Sequence, residues 1–361
     1  MPAQDLTEIY NKIEEGTRIS EGEARVLLKD ADLLMLGQLA QKRMQQFHFS
    51  DKATFQIDRN INYTNICKSK CRFCAFYRKE SDPEAYLLSP DEIIQKVSEA
   101  VALGATQIML QGGLNPNLTI GYFENVLKKI KTNFDVFVHS FSPPEIHHLS
   151  ELSGLTVKEV LRRLKDAGLD SLPGGGAEIL SDRVRHIVSP EKIGTMQWLN
   201  VMEAAHAVGL KTTATMMMGS VETLGERIEH LQKIRNLQDC TGGFRAFIAW
   251  TFTPGNTELG GNETSSIDYL RTIAVARIYL DNIKNIQGSW VTQGKDIGQM
   301  SLFFGANDLG SIMLEENVVR AAGASNRITE TEMKELIRRA GKTPEQRDTE
   351  YKIVKTYDPK I

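Results

Sequence analysis

A chain of 361 residues with 41% apolar and 25% charged side chains and a net charge of -3 is an ordinary globular chain, large enough for one big barrel or two modest domains. The nearly balanced charge gives neither a basic footprint for nucleic acid nor an acidic tail, and no apolar run approaches a membrane span. Acidic residues stand at the N-terminus where a signal peptide would carry basic and then apolar ones, so a cytoplasmic protein with free thiols is expected.

Residues 1–50 are predicted to form a helical extension, because apolar residues recur at helical spacing in LTEIYNKI and in EARVLLKDADLLMLGQLAQKRM. Residues 51–325 are expected to form the main barrel, and 326–361 a helical tail packed on it. Within the barrel segment, the strand INYTN comes first. SPDEIIQKVSEAVALG then opens with a serine cap and ends at a glycine, ahead of the apolar strand TQIMLQGG. TIGYFENVLKKIKTNF leads to the strand DVFVHSFS, and PPEIHHLSELSGLTVKEVLRRLKDAG supplies two helices before LDSLPGGGAE. PEKIGTMQWLNVMEAAHAVG precedes LKTTATMMMG, and ETLGERIEHLQKIRNLQD precedes GGFRAFIAWTF. SIDYLRTIAVARIYLD leads to NIQGSWVT, and KDIGQMSLF to FGAND.

Strand candidates alternating with helices in this number point to an α/β fold, the (β/α)8 barrel of TIM type. Active sites of that architecture lie at the C-terminal ends of the strands. The expected pocket residues are therefore the cysteine loop, residues 111–113, His139 and Ser140, residues 174–178 and 216–219, Trp250 and Thr251, residues 290–293, and Asn307 with Asp308. A glycine after a strand is equally what a tight turn uses, so no single instance decides. His206 and His230 fall mid-helix and read as packing, as do the three methionines at 216–218.

Three of the four cysteines, Cys67, Cys71 and Cys74, lie within eight residues at the spacing CxxxCxxC. Thiolates so placed can converge on one centre, and soft sulfur suits iron–sulfur clusters and zinc. Cys240 is remote in sequence. A cubane held by three cysteines keeps one iron without a protein ligand, which is what catalysis needs and a structural site avoids. The alternatives are a structural zinc site completed by a distant histidine, as in a zinc-stabilised binding protein, or three unconnected buried thiols. Zinc sites usually pair their cysteines as two separate knuckles.

CxxxCxxC with an aromatic residue, Phe73, just before the last cysteine resembles the signature of the radical S-adenosylmethionine superfamily. The resemblance implies a 4Fe-4S cluster on Cys67, Cys71 and Cys74. Its open iron would chelate S-adenosylmethionine, which one electron cleaves to a 5′-deoxyadenosyl radical. It places Phe73 and Tyr77 beside the cofactor and makes Gln111, Gly112 and Gly113 the glycine turn whose exposed backbone binds the methionine amino group. Ser140 and Glu178 become polar contacts to methionine and ribose, and Arg183 or Arg185 the partner of the methionine carboxylate. From the residues alone, Glu178 could equally cap the next helix, and either arginine could lie on the surface.

Longer blocks carry the resemblance over nearly the whole chain: NINYTNICKSKCRFCAFYR, TQIMLQGGLNPNL, SPPEIHHL, LDSLPGGGAEIL, TTATMMMG, GGFRAFIAWTFTPGNTEL, GSWVTQG and GANDLGSIMLEENVVRAAG. They are similar to the ring-closing branch that acts on dehypoxanthine futalosine in the futalosine route to menaquinone. Aminofutalosine synthase and the deazaflavin-forming synthase share the cysteine loop and the GAND block. The branch implies hydrogen abstraction from ribose C4′, addition of the carbon radical to the benzoate ring, and loss of an electron and a proton. Trp250 and Trp290 are then expected to pack the ring, and Thr251, Thr292, Gln293 and Asn307 to hold hydroxyls and carboxylate. His139, Asp308 or Glu315 would take the proton. A reduced flavodoxin or ferredoxin would supply electrons, and the partners include neither nucleic acid nor membrane.

Overall fold

The computed structural model describes residues 6–359. Its first strand shows the rule on which the barrel is built. In KATFQIDRNI the apolar Ala53, Phe55, Ile57 and Ile61 alternate with Thr54, Gln56, Asp58 and Asn60, and a period of two sends the two sets to opposite faces. The apolar set is buried against the surrounding helices, whereas Gln56, Asp58 and Asn60 face the barrel axis. β1 (Lys52–Gln56) and β2 (Asp58–Ile61) are two halves of this strand, bent at Ile57.

Around the axis follow β3 (Gln107–Leu110), β4 (Phe137–Val138), β5 (Ser171–Leu172), β6 (Lys211–Met218), β7 (Phe244–Thr251), β8 (Asn285–Gln287) and β9 (Asp308–Ser311). β2 pairs with β3 and β3 with β4, and a bridge between His139 and Ser171 joins β4 to β5. β5 to β9 pair in succession, all parallel. β9 then returns to β1, and the Ile312 and Leu314 amides donate to the Gln56 and Asp58 carbonyls at 3.1 and 2.9 Å, which closes the ring. Every crossover is helical. The helices are Pro90–Ala102, Ile120–Asn133, Pro143–Ser153 with Val157–Ala167, Asp182–Val188 with Thr195–Ala207, Leu224–Thr241, Ser266–Tyr279 and Lys295–Ser301. The (β/α)8 barrel read from the sequence is therefore the fold.

Helix starts fall where the chain signals them. Ser89, Thr156 and Thr223 each accept the amide three residues on, and Glu92, Glu159 and Glu226 bond back, reciprocal caps worth about 1 kcal/mol each. Behind each cap an apolar stripe turns inward; Ile93, Val97 and Ala100 of the first crossover helix are all buried. The core is thus the shell between helices and strands. Helices Leu6–Glu14, Glu21–Asp30 and Leu33–Gln45 cover Leu224–Thr241 and Ser266–Tyr279 from outside, where the Arg235 guanidinium donates to the Ile19 carbonyl at 3.0 Å.

Three expectations are corrected. The first strand ends at Ile61 instead of spanning INYTN, because the Asn62 side chain leaves the ladder to donate to the Gln111 carbonyl. The last barrel strand begins at Asp308 where it was expected to end, so Asn307 and Asp308 lie at the N-terminal rim of the barrel. The tail after residue 326 is not helical throughout. Helix Glu330–Arg339 is followed by β10 (Thr343–Arg347), parallel to β1, and β11 (Ile353–Thr356), antiparallel to β10. Because β3 pairs with β2 and not with β1, β1 keeps an open edge, and β10 satisfies it. Pro344 disfavours a helix there.

The turn after β10 closes the barrel's N-terminal end. Arg347 is paired inside the protein with Asp308, its Nη2 donating to Oδ1 at 2.9 Å and its Nε to Oδ2 at 2.5 Å, and its Nη1 donates to Gln56 Oε1. Thr349 Oγ1 donates to Gln107 Oε1 at 2.8 Å, and Tyr351 stacks its ring on the Arg347 guanidinium. Removing one partner of such a buried pair strands the other charge, at a cost of about 3–5 kcal/mol. Arg347→Ala is expected to lower stability by that amount in urea unfolding. Arg339→Ala, which breaks only an exposed pair with Glu335, should change it by less than about 1 kcal/mol.

Candidate active site

The inward residues of the strands enclose a cavity of about 300 Å³ along the barrel axis. TIM-type barrels are usually filled by branched apolar side chains. Here Gln56, Asp58, Asn60, Gln107, Gln111, His139, Thr213, Thr215, Gln287, Ser289 and Ser311 line the axis, and the space between them stays open. The cavity runs from Glu178, Trp250, Thr292 and Glu316 at the C-terminal end down to Arg245, Arg347, Thr349 and Tyr351 at the floor.

The cysteine loop and the glycine turn form one unit at the C-terminal end. The Leu114 amide donates to Cys67 Sγ at 3.3 Å, the Lys68 amide to the Leu114 carbonyl, and the Arg72 amide to the Val188 carbonyl. A Cβ on Gly113 would stand 2.2 Å from the Ile66 carbonyl oxygen, and one on Gly112 would stand 2.6 Å from the Tyr63 ring. Close approach of the loop therefore requires both glycines. Below them, Tyr63 OH, Ser142 Oγ and the Gly112 amide all donate to the buried Glu145, whose carboxyl burial raises to about 7 against those three bonds.

The donor set suits a cluster with a bound amino acid. Backbone amides of Phe76 and Tyr77 donate to Cys74 sulfur, as Leu114 does to Cys67, which is the hydrogen bonding that clustered thiolates use. Burial pushes the Cys71 thiol up to about 12, against the pull of the Lys192 ammonium and with Glu178, Cys74 and Cys67 adding to it. Such a thiol gives up its proton when a metal takes its place. A zinc site needs a closed ligand set around one ion, whereas three cysteines leave one iron of a cubane without a protein ligand. In the turn, the Gln111 carbonyl accepts from Asn62 and the Gly113 carbonyl from Asn115, which leaves the Gly112 carbonyl to meet an ammonium.

Glu178 projects from the turn after β5 with a left-handed φ of 42°, a conformation held only where the surroundings enforce it. It caps no helix. Oε1 accepts from Lys192 Nζ at 3.0 Å, while Oε2 has no hydrogen bond of good geometry but lies 3.5 Å from Arg185 Nη1 in a buried ion pair on the cavity wall. Arg185 also donates to the Gly176, Ala177 and Ile193 carbonyls, so it braces this turn. Arg183 is half exposed and paired with Glu226, away from the cavity. Ser140 is fully buried and receives the Leu110 amide, and Phe73 packs its ring 5.0 Å from Lys192 Nζ. Tyr77 stays on the cysteine loop, half-buried. Lys192, which ties Phe73, Cys71 and Glu178 together, was not found by sequence reasoning; it sits in a loop with no motif.

Of the residues expected around a substrate, His139, Trp250 and Thr292 line the cavity. Thr251 and Gln293 stand behind Thr292, to which Thr251 Oγ1 bonds at 3.0 Å. Trp290 is in the core, its Nε1 donating to the Ser311 carbonyl. Asn307 accepts from Arg277 and the Ile286 amide, and Asp308 is consumed by Arg347 and Thr54. Both are structural, because their strand starts there. Glu315 turns outward to Arg59 and Lys96, and it is the next residue, Glu316, that lines the cavity. Burial raises the Glu316 carboxyl against bonds from the Val319 and Val318 amides and from Asn60.

His139 is fixed in one tautomer. Ser171 Oγ spends its hydrogen on the Lys211 carbonyl at 2.7 Å, so its lone pairs accept from Arg245 and from His139 Nδ1 at 2.7 Å. Nδ1 therefore carries the proton and Nε2 offers a lone pair. Burial, with Arg245 and Arg347 nearby, holds the ring well below the usual imidazole range and hence neutral.

Residues 61–234 match the radical SAM superfamily and residues 241–359 the CofH/MqnC C-terminal region. The chain is 46% identical to the cyclic dehypoxanthine futalosine synthase of Halalkalibacterium halodurans over 98% of its own length and 96% of that protein. It is also 46% identical to that of Streptomyces coelicolor over 98% and 90%. It is 43% identical, over 84% of its length and 88% of the relative, to the 5-amino-6-(D-ribitylamino)uracil–L-tyrosine 4-hydroxyphenyl transferase of Methanococcoides burtonii. Among solved structures, the FeFe-hydrogenase maturase HydG from Carboxydothermus hydrogenoformans shares the fold at a TM-score of 0.79 and 18% identity, over 97% of this chain and 81% of that one.

Gly113→Ala forces the cysteine loop away from the turn through a backbone clash that no rotamer relieves. The variant is expected to fold but to retain far less iron and acid-labile sulfide than wild type after anaerobic reconstitution, which elemental and sulfide assays read directly.

Proposed function

Since this chain belongs to the radical SAM superfamily, in the family of the cyclic dehypoxanthine futalosine synthases, we propose that it converts dehypoxanthine futalosine to cyclic dehypoxanthinylfutalosine, a ring closure in menaquinone biosynthesis. The observation that carries this reading is the floor-sealed cavity whose upper wall includes Gln111, next to the glycine turn, and Glu178, which Lys192 ties to Cys71. It is deep enough to hold a small molecule away from water while one end meets the cofactor.

Membership of the superfamily brings a 4Fe-4S cluster and S-adenosylmethionine, which when bound supply a 5′-deoxyadenosyl radical able to take hydrogen from the substrate ribose at C4′. Cys67, Cys71 and Cys74 are the proposed ligands. The Gly112 carbonyl would accept from the methionine ammonium, and Glu178 Oε2, which faces Arg185 at 3.5 Å without a hydrogen bond, from ribose hydroxyls. Thr292, held by Thr251, which Gln293 in turn bonds, and Asn60 offer bonds to the substrate's own hydroxyls, and Trp250 walls the upper cavity. After the new carbon–carbon bond forms, the benzoate ring must lose an electron and a proton to become aromatic again. His139 Nε2 is the proposed proton acceptor, because its tautomer is fixed by Ser171 and it is neutral before the step. Glu316 already accepts three bonds. A reduced flavodoxin or ferredoxin would deliver electrons at the cysteine loop. Free thiols suit the cytoplasm, and among the described residues no helix is long and apolar enough to cross a membrane.

Anaerobic incubation of the reconstituted protein with dithionite, S-adenosylmethionine and dehypoxanthine futalosine is expected to yield 5′-deoxyadenosine together with a product two hydrogens lighter than the substrate, resolved by mass spectrometry. 5′-Deoxyadenosine without that product would replace the substrate assignment. Cys67→Ala, Cys71→Ala and Cys74→Ala should each abolish both products, and Cys240→Ala, at an exposed position, neither. His139→Gln is expected to keep 5′-deoxyadenosine formation while slowing cyclised product by about 100-fold, the lower range for a lost general base. Equal loss of both would remove His139 from the proton step.

A further inference from the structure

The cavity floor carries a positive charge with no counterion. Arg245 is the second residue of β7, where the register against β6 slips: Thr212 stands opposite Phe244, and Thr213 opposite Ala246. Ile248 and Trp250 point to the axis, and strict alternation with them would send Arg245 outward. The bulge turns it inward, and Arg245 lines the cavity with them.

Its guanidinium has five N–H donors and uses one. Nη2 donates to Ser171 Oγ, whose other lone pair is already taken by His139, and Nε is buried without a partner. The buried arginines use more of their donors: Arg347 pairs with Asp308, Arg227 with Glu222 and Asp268, and Arg277 donates to the Gly305 and Lys284 carbonyls, while Arg43 and Arg235, whose Nε is also unpartnered, each make three other bonds. Among the described residues no carboxylate lies within ion-pair distance of Arg245. Burial, with the Arg347 cation nearby, pulls the group down to about 10, and Tyr351, Glu350 and Asp348 only partly oppose it. A partly buried cation that lines a cavity with no acid in reach is placed to meet an acid that enters the cavity.

We propose that Arg245 is the counterion for the substrate's benzoate carboxylate and so determines which aromatic acids the cavity accepts. The identity of that acid rests on the function proposed above; the demand for an anion does not. A planar fork of donors matches a carboxylate in two-point contact, which also fixes the plane of the attached ring. The shared Ser171 places His139 beside that ring. Five residues of strand at about 3.3 Å each separate Arg245 from Trp250, roughly 16 Å, enough for a benzoyl group below and a ribose above.

The test measures equilibrium binding of dehypoxanthine futalosine and of its benzoate methyl ester to the reconstituted holoenzyme by calorimetry, with wild type, Arg245→Gln and Arg245→Lys. Wild type is expected to prefer the acid by roughly 100-fold, the scale of a desolvated charge-assisted pair. Arg245→Gln should lose that preference by weakening the acid alone, and Arg245→Lys should keep part of it. Without ligand, Arg245→Gln should melt at or above the wild-type temperature, since a partly buried cation with no acid beside it has been removed, and its stabilisation by substrate should shrink. An Arg245→Gln protein that still discriminates, that weakens acid and ester alike, or that melts well below wild type would make Arg245 a structural residue and overturn the proposal. Wild type that binds neither compound would instead refute the substrate named above, and the carboxylate assignment with it.

Discussion

The structure depends on an inversion of the usual sheet pattern: its strands put polar residues on the closed side and apolar ones on the side that meets the helices. Burial of Phe55, Ile108, Val138, Phe247 and Ile286 under the helix ring supplies the cohesion, each worth about 1.5–3 kcal/mol when fully withdrawn from water. The axis is then free of any packing duty. Gln56, Asp58, Gln107, Gln287 and their neighbours could not fill it as valine and leucine would, so the barrel encloses a working space. Such a space has to be sealed somewhere, and the Asp308–Arg347 pair with the turn behind it does so from a segment outside the eight strands.

At the other end, geometry is set by contact distances. Tyr63, Gly112, Gly113, Ile66 and Cys67 are packed so closely that the turn and the cysteine loop cannot move independently. The Glu145 carboxyl gathers three donors beneath them and anchors that unit to helix Pro143–Ser153. The glycines therefore do two things at once: they admit the loop, and they leave the Gly112 carbonyl bare.

Much of this was legible in the chain. The cysteine spacing, the alternation of strand and helix and the caps at Ser89, Thr156 and Thr223 are local signals, and local physics produced them. What escaped was set by register or by distant segments. Asn307 and Asp308 resemble polar strand ends, and nothing local distinguishes the first residue of a short strand from its last. Glu315 and Glu316 differ only in which side of the chain faces the axis. KATFQIDRNI alternates plainly as a strand, but the cysteines that follow it drew the boundary downstream. Arg245 obeys no alternation because a bulge places it, and bulges are a property of two strands. The floor was read as a helical tail because the open edge of β1, which recruits β10, exists only after the barrel has closed.

A barrel sealed at one end and catalytic at the other has a single doorway. On the function proposed above, a compound resting on the floor would enter past the cysteine loop and the glycine turn. The closed floor would then give turnover an order, with the compound at the floor first in and last out.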